Sequence, residues 1–140
     1  MSYKILGKYN IIKNSEIGEG TVIWSHNNIY DSRIGRGCKI ASHVEIGGSE
    51  LGDECSVQKG AYIHPGINDD NPGRGEFHCL ETIVEDLVRI GAGAKIRPGI
   101  TLHEGCFVGM GSVVTKSVPE YTLVYGNPAR KVRKLRKEER

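Results

Sequence analysis

The chain has 140 residues, 26% of them charged, with a net charge of +2. That length suits one domain, no run of about 18 apolar residues offers a membrane span, and the start MSYKILGKYN lacks an apolar stretch of signal-peptide length, so a cytoplasmic protein is expected. Basic residues are not interleaved with aromatic ones and no recognition motif is present, which argues against nucleic acid as a partner.

From residue 11 onward aliphatic residues recur every six positions: Ile11, Ile17, Ile23, Ile29, then after a step of five Ile34, Ile40, Ile46, then after another Leu51, Val57, Ile63. From Val84 the beat is unbroken through Ile90, Ile96, Leu102, Val108 and Val114. A period of six fits neither a helix nor a strand; it is the signature of a hexapeptide β-helix. Sandwich strands, spaced about 8–12 residues apart, do not fit it. Four residues after the aliphatic stands a residue that is usually small: Ser15, Thr21, Cys38, Val44, Cys55, Ala61, Ala94, Cys106, Ser112. Glycine often follows the aliphatic directly, as at Gly18, Gly35, Gly52, Gly91 and Gly109. The unit reads aliphatic–Gly–x–x–small–x: a short strand with one inward side chain, then a tight turn with a narrow corner. Three units make a coil of about 17 or 18 residues, and coils stack at strand spacing, roughly 4.7–4.9 Å. The stacking sets Cys38 over Cys55 as reduced corner thiols, and His26 over His43, each pair one coil apart; Cys79 is the cysteine expected to be exposed.

The rhythm breaks twice. At 68–80 the chain reads NDDNPGRGEFHCL, polar and turn-rich, an insertion of the length that carries function on repeat proteins. At Pro119 the last coil stops. Tyr121 to Tyr125 reads as an extended segment, Gly126-Asn127-Pro128 as a turn, and Ala129 onward as a short basic helix with Val132 and Leu135 at helical spacing. The expected organisation is a β-helix over 1–118 with the insertion, then a strand and basic helical tail over 119–140. Between Arg130 and Arg140 seven Lys/Arg and two Glu give +5, a charge suited to phosphates or an acidic partner surface.

The run IGAGAKIRPGITLHEGCFVGMGSVVTKSVPEYTLVYGNPARKVRKL, with the repeats before it, resembles the hexapeptide-repeat acyltransferases. Within them the chain is most similar to sugar acetyltransferases, including those that N-acetylate nucleotide-linked amino sugars for surface polysaccharide; Ile23-Trp24 near the start, and Asn68-Asp69 followed by Thr82, carry that likeness. The resemblance implies a left-handed parallel β-helix, a homotrimer, and acetyl-CoA as co-substrate in a groove between subunits near the C-terminal coils. Direct acetyl transfer needs a neutral amine or activated hydroxyl, a donor for the thioester oxygen, and alignment. It needs no nucleophilic serine, and the chain has no GxSxG.

Many relatives carry Asn-His where this chain has Asn68-Asp69, so the base is sought among His78, His64 and Asp69. Asn68, Asp70, Arg74 and Glu76 of the insertion, with His26 and His43, are the candidate acceptor-binding residues. Gly91, Ala92, Gly109, Met110 and Gly111 are the candidates to let pantetheine approach the backbone. Lys116, Arg130 and Lys131 are candidates for its phosphates, and Asn127, Pro128 and Ala129 for the adenine end. Trp24 and Tyr62 read as packing groups. Three other readings stay open: O-acetylation of a sugar or serine hydroxyl, a metal protein like the γ-class carbonic anhydrases, and a non-catalytic trimeric scaffold. No two histidines lie five apart, the close pair those metal proteins carry, so no metal ligand is assigned.

Overall fold

The computed structural model describes residues 3–63 and 80–140. Up to Val114 its strands are only two or three residues long. Each pairs in parallel with the strand one coil away, building sheets of eight, six and five strands around a thin core. The first face includes Val22–Ile23, Lys39–Ile40, Ser56–Val57, Arg89–Ile90 and Phe107–Val108. The second includes Asn28–Tyr30, Glu45–Gly47, Tyr62–Ile63, Lys95–Ile96 and Val113–Val114. The third includes Arg33–Ile34, Ser49–Leu51, Thr82–Val84 and Thr101–Leu102. This is the parallel β-solenoid expected from the six-residue beat.

One aliphatic per strand points inward. Ile23, Ile40, Val57, Ile90 and Val108 stack on the first face, Ile29, Ile46 and Ile63 on the second, and all are essentially fully buried. Each such side chain contributes roughly 1.5–3 kcal/mol by leaving water. The register explains the two phases of the beat. In the N-terminal coils Ile29 pairs with Ile46, 17 residues on, because the step from the second face to the third is five residues, as from Ile46 to Leu51. In the C-terminal coils Ile90 pairs with Val108, 18 residues on. Between them Val57 pairs with Ile90 and Ile63 with Ile96, 33 residues on. The added length falls between Ile63 and Thr82; of the expected insertion only Leu80 is among the described residues.

The corners carry the polar order. Ser15, Ser32 and Ser49 form a ladder in which each hydroxyl accepts from the backbone N–H of the next coil, at 3.1 Å both times. Thr21 takes the N–H of Cys38 at 3.0 Å. Cys38, Cys55 and Cys106 are buried corner thiols, as the spacing predicts.

Two expectations are corrected. Ile11 faces solvent at 52% exposure, and its neighbour Ile12 packs against the core, pairing with Ile29. The first coil therefore also steps by five at that corner. The tail is not a helix from Ala129: Ala129–Lys134 is a strand, antiparallel to Thr122–Gly126. The last parallel rung leaves its backbone donors and acceptors open on one side, and the tail satisfies them by folding back. Helix remains only as the 3₁₀ turn Lys137–Glu139.

A candidate active-site corner

The corner between the first and second faces gathers most of the residues singled out for the co-substrate. Gly91 and Ala92 follow Ile90, and Gly109, Met110 and Gly111 occupy the same slots one coil later, joined by Gly91 N–H to Val108 O and Gly111 N–H to Ala92 O, both 2.8 Å. Above them Gly109 N–H donates to Val124 O at 2.8 Å, and Gly126 N–H to Ser112 Oγ at 3.3 Å. The Gly126-Asn127-Pro128 turn thus stands over this corner, with Ala129, Arg130 and Lys131 opposite Gly126, Tyr125 and Val124. Lys116 does not join them: it follows Val114 and lies on the next corner.

The glycines divide into two kinds. A Cβ at Gly91 would stand 2.6 Å from Met110 N and 2.8 Å from Val108 O, and one at Gly109 would stand 2.7 Å from Tyr125 Cβ. Those two positions are fixed by coil stacking. Gly93 and Gly111 adopt φ of 69° and 71°, and a Cβ on either would meet nothing within 4 Å among the described residues. They leave a bare strip of backbone on the surface, beside the exposed Met110, Arg130 and Lys131.

Toward the N-terminus the same corner is aromatic. His26 and His43 are stacked, with ring centroids 4.8 Å apart and planes at 11°, and Tyr9 lies 5.0 Å below His26, tilted by 40°. Trp24 and Tyr62, expected as packing groups, are each 39% exposed.

On the second corner, a groove of about 790 Å³ runs between Asn14, Asp31, Arg33, Glu50 and Glu81. At its edge lie Leu80, the last residue of the insertion, and Glu81 after it. His64, Asn68, Asp69, Asp70, Arg74, Glu76, His78 and Cys79 lie outside the described residues. Among the described residues no group of three or more His, Cys, Asp or Glu is placed to hold a metal, and no helix is long and apolar enough to cross a membrane.

The third corner holds an arrangement that the sequence reading passed over. His103 Nδ1 lies 3.1 Å from Glu85 Oε1, which also accepts from Glu104 N–H at 3.0 Å. Tyr121 Oη donates to Glu104 Oε2 at 2.5 Å, and the Arg140 guanidinium covers the Tyr121 ring at 4.6 Å. Glu85 and His103 follow Val84 and Leu102 directly, so the one-coil spacing that paired His26 with His43 would have paired them too. Nearby, Arg89 sits over Phe107 and donates to Glu139 O at 2.7 Å. Arg133 grips Glu139 with two bonds of 2.6 and 2.8 Å. The Arg133 guanidinium, aided by Arg136 N–H, holds the Glu139 carboxyl well below the usual carboxylate range. Much of the basic tail is therefore spent on docking itself, and Arg130 and Lys131 stand exposed beside the turn.

Residues 81–116 match the bacterial transferase hexapeptide family, described as six repeats, and residues 33–65 match the hexapeptide repeat of succinyl-transferase. A putative acetyltransferase of Schizosaccharomyces pombe is 46% identical over 55 residues, 39% of this chain and 27% of its own length. The dTDP-3-amino-3,6-dideoxy-alpha-D-galactopyranose 3-N-acetyltransferase of Aneurinibacillus thermoaerophilus is 51% identical over 49 residues, 35% of this chain and 26% of its own. The chain thus spans about a quarter to a third of the length of the curated relatives it matches. A mutant of AntD, an N-acyltransferase from Bacillus cereus solved with dTDP and coenzyme A, shares the fold with a TM-score of 0.85 at 22% identity, over 96% of this chain and 85% of that one.

Proposed function

We propose that this chain, which carries the hexapeptide repeats of the bacterial transferases, is an acetyl-CoA-dependent acetyltransferase acting on the amine of a nucleotide-linked amino sugar in the cytoplasm, in service of surface polysaccharide. The observation that carries the reading is the bare backbone strip at Gly93 and Gly111, flanked by the Asn127-Pro128 turn and by Arg130 and Lys131. Pantetheine is a thin, amide-bearing chain that hydrogen-bonds to exposed backbone, and CoA phosphates favour flanking guanidinium and ammonium groups. Gly91 and Ala92 with Gly109 and Met110 form the floor of that strip. One relative named for N-acetylating a dTDP-amino sugar, and a protein of the same fold solved with dTDP and coenzyme A, support the choice of substrates.

The strip and the acidic groove lie on different corners of one rod. A homotrimer of left-handed rods side by side would bring the strip of one protomer to the groove of the next, and the insertion at 68–80 would close over both. There Asn68, Asp70, Arg74 and Glu76 would hold the acceptor. The neutral amine attacks the thioester carbonyl, the carbon–sulfur bond breaks, and the CoA thiolate takes up the amine's proton, directly or through His78, His64 or Asp69.

The test is to incubate purified protein with acetyl-CoA and a panel of nucleotide-linked amino sugars, reading free thiol and the mass of the sugar product. Thiol release matched by a singly acetylated amine is expected. No release with any member of the panel, while coenzyme A binds, overturns the reading.

A further inference from the structure

The first corner has a glycine solution, and its N-terminal coils do not use it. The column of left-handed residues there runs Tyr9, His26, His43, Gly60, Gly93, Gly111, with φ of 64°, 60°, 58°, 76°, 69° and 71°. Side chains are disfavoured in that region of backbone space, and a residue held there points to a use for its side chain. The first three positions hold exposed aromatic rings that touch one another rather than the core.

Among the described residues the stack is open at one end. Tyr9 covers His26, and His26 covers His43. The other face of His43 looks toward Gly60, where an added Cβ would meet only Gly93 Cα and N, both at 3.8 Å, among the described residues. Coils rise by roughly 4.8 Å, so the notch over Gly60 has the height of one more planar ring at stacking distance. Lys59, exposed, precedes Gly60 and offers a cation beside the notch. Gly93, the start of the bare strip, is one coil further on.

We propose that a nucleobase stacks on the open face of His43 in the notch over Gly60, as the fourth ring of the Tyr9–His26–His43 column, with its phosphates toward Lys59. The inference deepens the acetyltransferase reading and rests on it for the source of the base, which is either the adenine of coenzyme A or the base of the sugar nucleotide.

Calorimetric titration of the whole chain with coenzyme A, dTDP, 4′-phosphopantetheine and pyrophosphate tests it. The variants are His43→Ala, which removes the platform, Gly60→His, which fills the notch with the protein's own ring in a conformation His26 and His43 already adopt, and His43→Phe. Both His43→Ala and Gly60→His should weaken one nucleotide by about tenfold or more, the range for loss of one base–aromatic stack. His43→Phe should retain affinity, and the two base-free ligands should bind all forms alike. Loss confined to coenzyme A assigns the adenine; loss confined to dTDP assigns the acceptor's base. Base protons should show upfield ring-current shifts in wild type that vanish in His43→Ala. The proposal is overturned if both nucleotides bind His43→Ala and Gly60→His within about twofold of wild type, if the base-free ligands weaken equally, or if neither nucleotide binds wild type. Acetyl transfer is read separately: transfer indifferent to His43 sinks only the stack, and a His43-dependent nucleotide site without transfer sinks only the acetyltransferase reading.

Discussion

The two kinds of glycine at the first corner give a sharp test, because substituting one of each should separate stability from coenzyme A binding. In Gly91→Ala the new methyl would stand 2.6 Å from Met110 N and 2.8 Å from both Gly109 C and Val108 O. Ordinary contact begins near 3.4 Å, and backbone in a coil held by three sheets cannot yield that distance locally. Overpacking of this kind costs about 1–3 kcal/mol; with backbone as the obstacle the upper figure applies. For a domain of this size roughly 4 °C of melting temperature is lost per kcal/mol, so Gly91→Ala should melt about 12 °C below wild type. In Gly111→Ala the methyl meets nothing within 4 Å among the described residues, and the left-handed φ of 71° opposes it, at about 1–2 kcal/mol or roughly 4–8 °C. Coenzyme A affinity, measured by calorimetry well below both transitions, should follow the reverse order: nearly unchanged in Gly91→Ala, whose methyl points into the stack, and reduced in Gly111→Ala, whose methyl stands in the strip. A Gly91→Ala protein that melts with wild type, or one that loses coenzyme A while Gly111→Ala keeps it, would refute the division.

Other consequences are independent of the substrate. Ile46→Ala removes a fully buried side chain at the middle of the second face and should cost about 2–5 kcal/mol in chemical denaturation, whereas Ile11→Ala, at an exposed position, should be close to neutral. Burial pushes the Cys106 thiol up to about 12, so in native protein at pH 8 a thiol reagent should leave it unmodified, and it should react once guanidinium unfolds the chain. Glu139 is held below the usual carboxylate range; its contribution is therefore full above about pH 5, where an unfolded-state glutamate is ionised, and is lost as pH falls below that toward the folded-state value. Glu139→Gln should accordingly raise hydrogen exchange in the tail at pH 7 and converge with wild type in strong acid. Burial, then the bond to Glu45, raises the Tyr30 hydroxyl above the ordinary tyrosine range. The unfolded chain then gains by ionising first, and stability falls as pH rises past about 10; Tyr30→Phe should lessen that alkaline loss in thermal melts.

The rod was legible because each inward aliphatic is a separate vote for the same period. A coil that misses one, as at Ile11, still stacks, and the neighbouring Ile12 fills the slot with no change in composition that would announce it. Corner columns were legible for the same reason: a spacing of 17 set His26 over His43 and Cys38 over Cys55 before any contact was known. The tail was not legible. Val132 and Leu135 stand three apart, which suits a helix, but their fates differ: Leu135 is buried at 4% and Val132 is 44% exposed. What decides the tail is hairpin pairing with the open edge of the adjacent Thr122–Gly126 across the Asn127-Pro128 turn, which the three-residue spacing of Val132 and Leu135 does not encode. The split among the glycines was hidden likewise, since glycine is written the same whether it gives room to the next coil, as at Gly91, or takes the left-handed backbone of the turn, as at Gly93.

The first corner carries one left-handed residue per coil along a single ridge. A change at one coil alters the surface at one height and leaves the inward aliphatics in place, so the ridge is free to vary while the core stays constant. It varies in order: rings at Tyr9, His26 and His43, then Lys59 beside the bare Gly60, then open backbone at Gly93 and Gly111, then the basic strand with Arg130 and Lys131. Read along the rod, that is a flat berth, a cation, a narrow track for an amide chain, and further cations. A nucleotide joined through phosphates to a slender arm presents the same groups in sequence, and a sugar nucleotide shares the first two. On the proposed acetyltransferase reading, the stretch open to either nucleotide, around His43 and Lys59, is where competition between coenzyme A and dTDP should be sought. If the two ligands bind wild type together without weakening each other, they do not share that berth, and only one of them uses it.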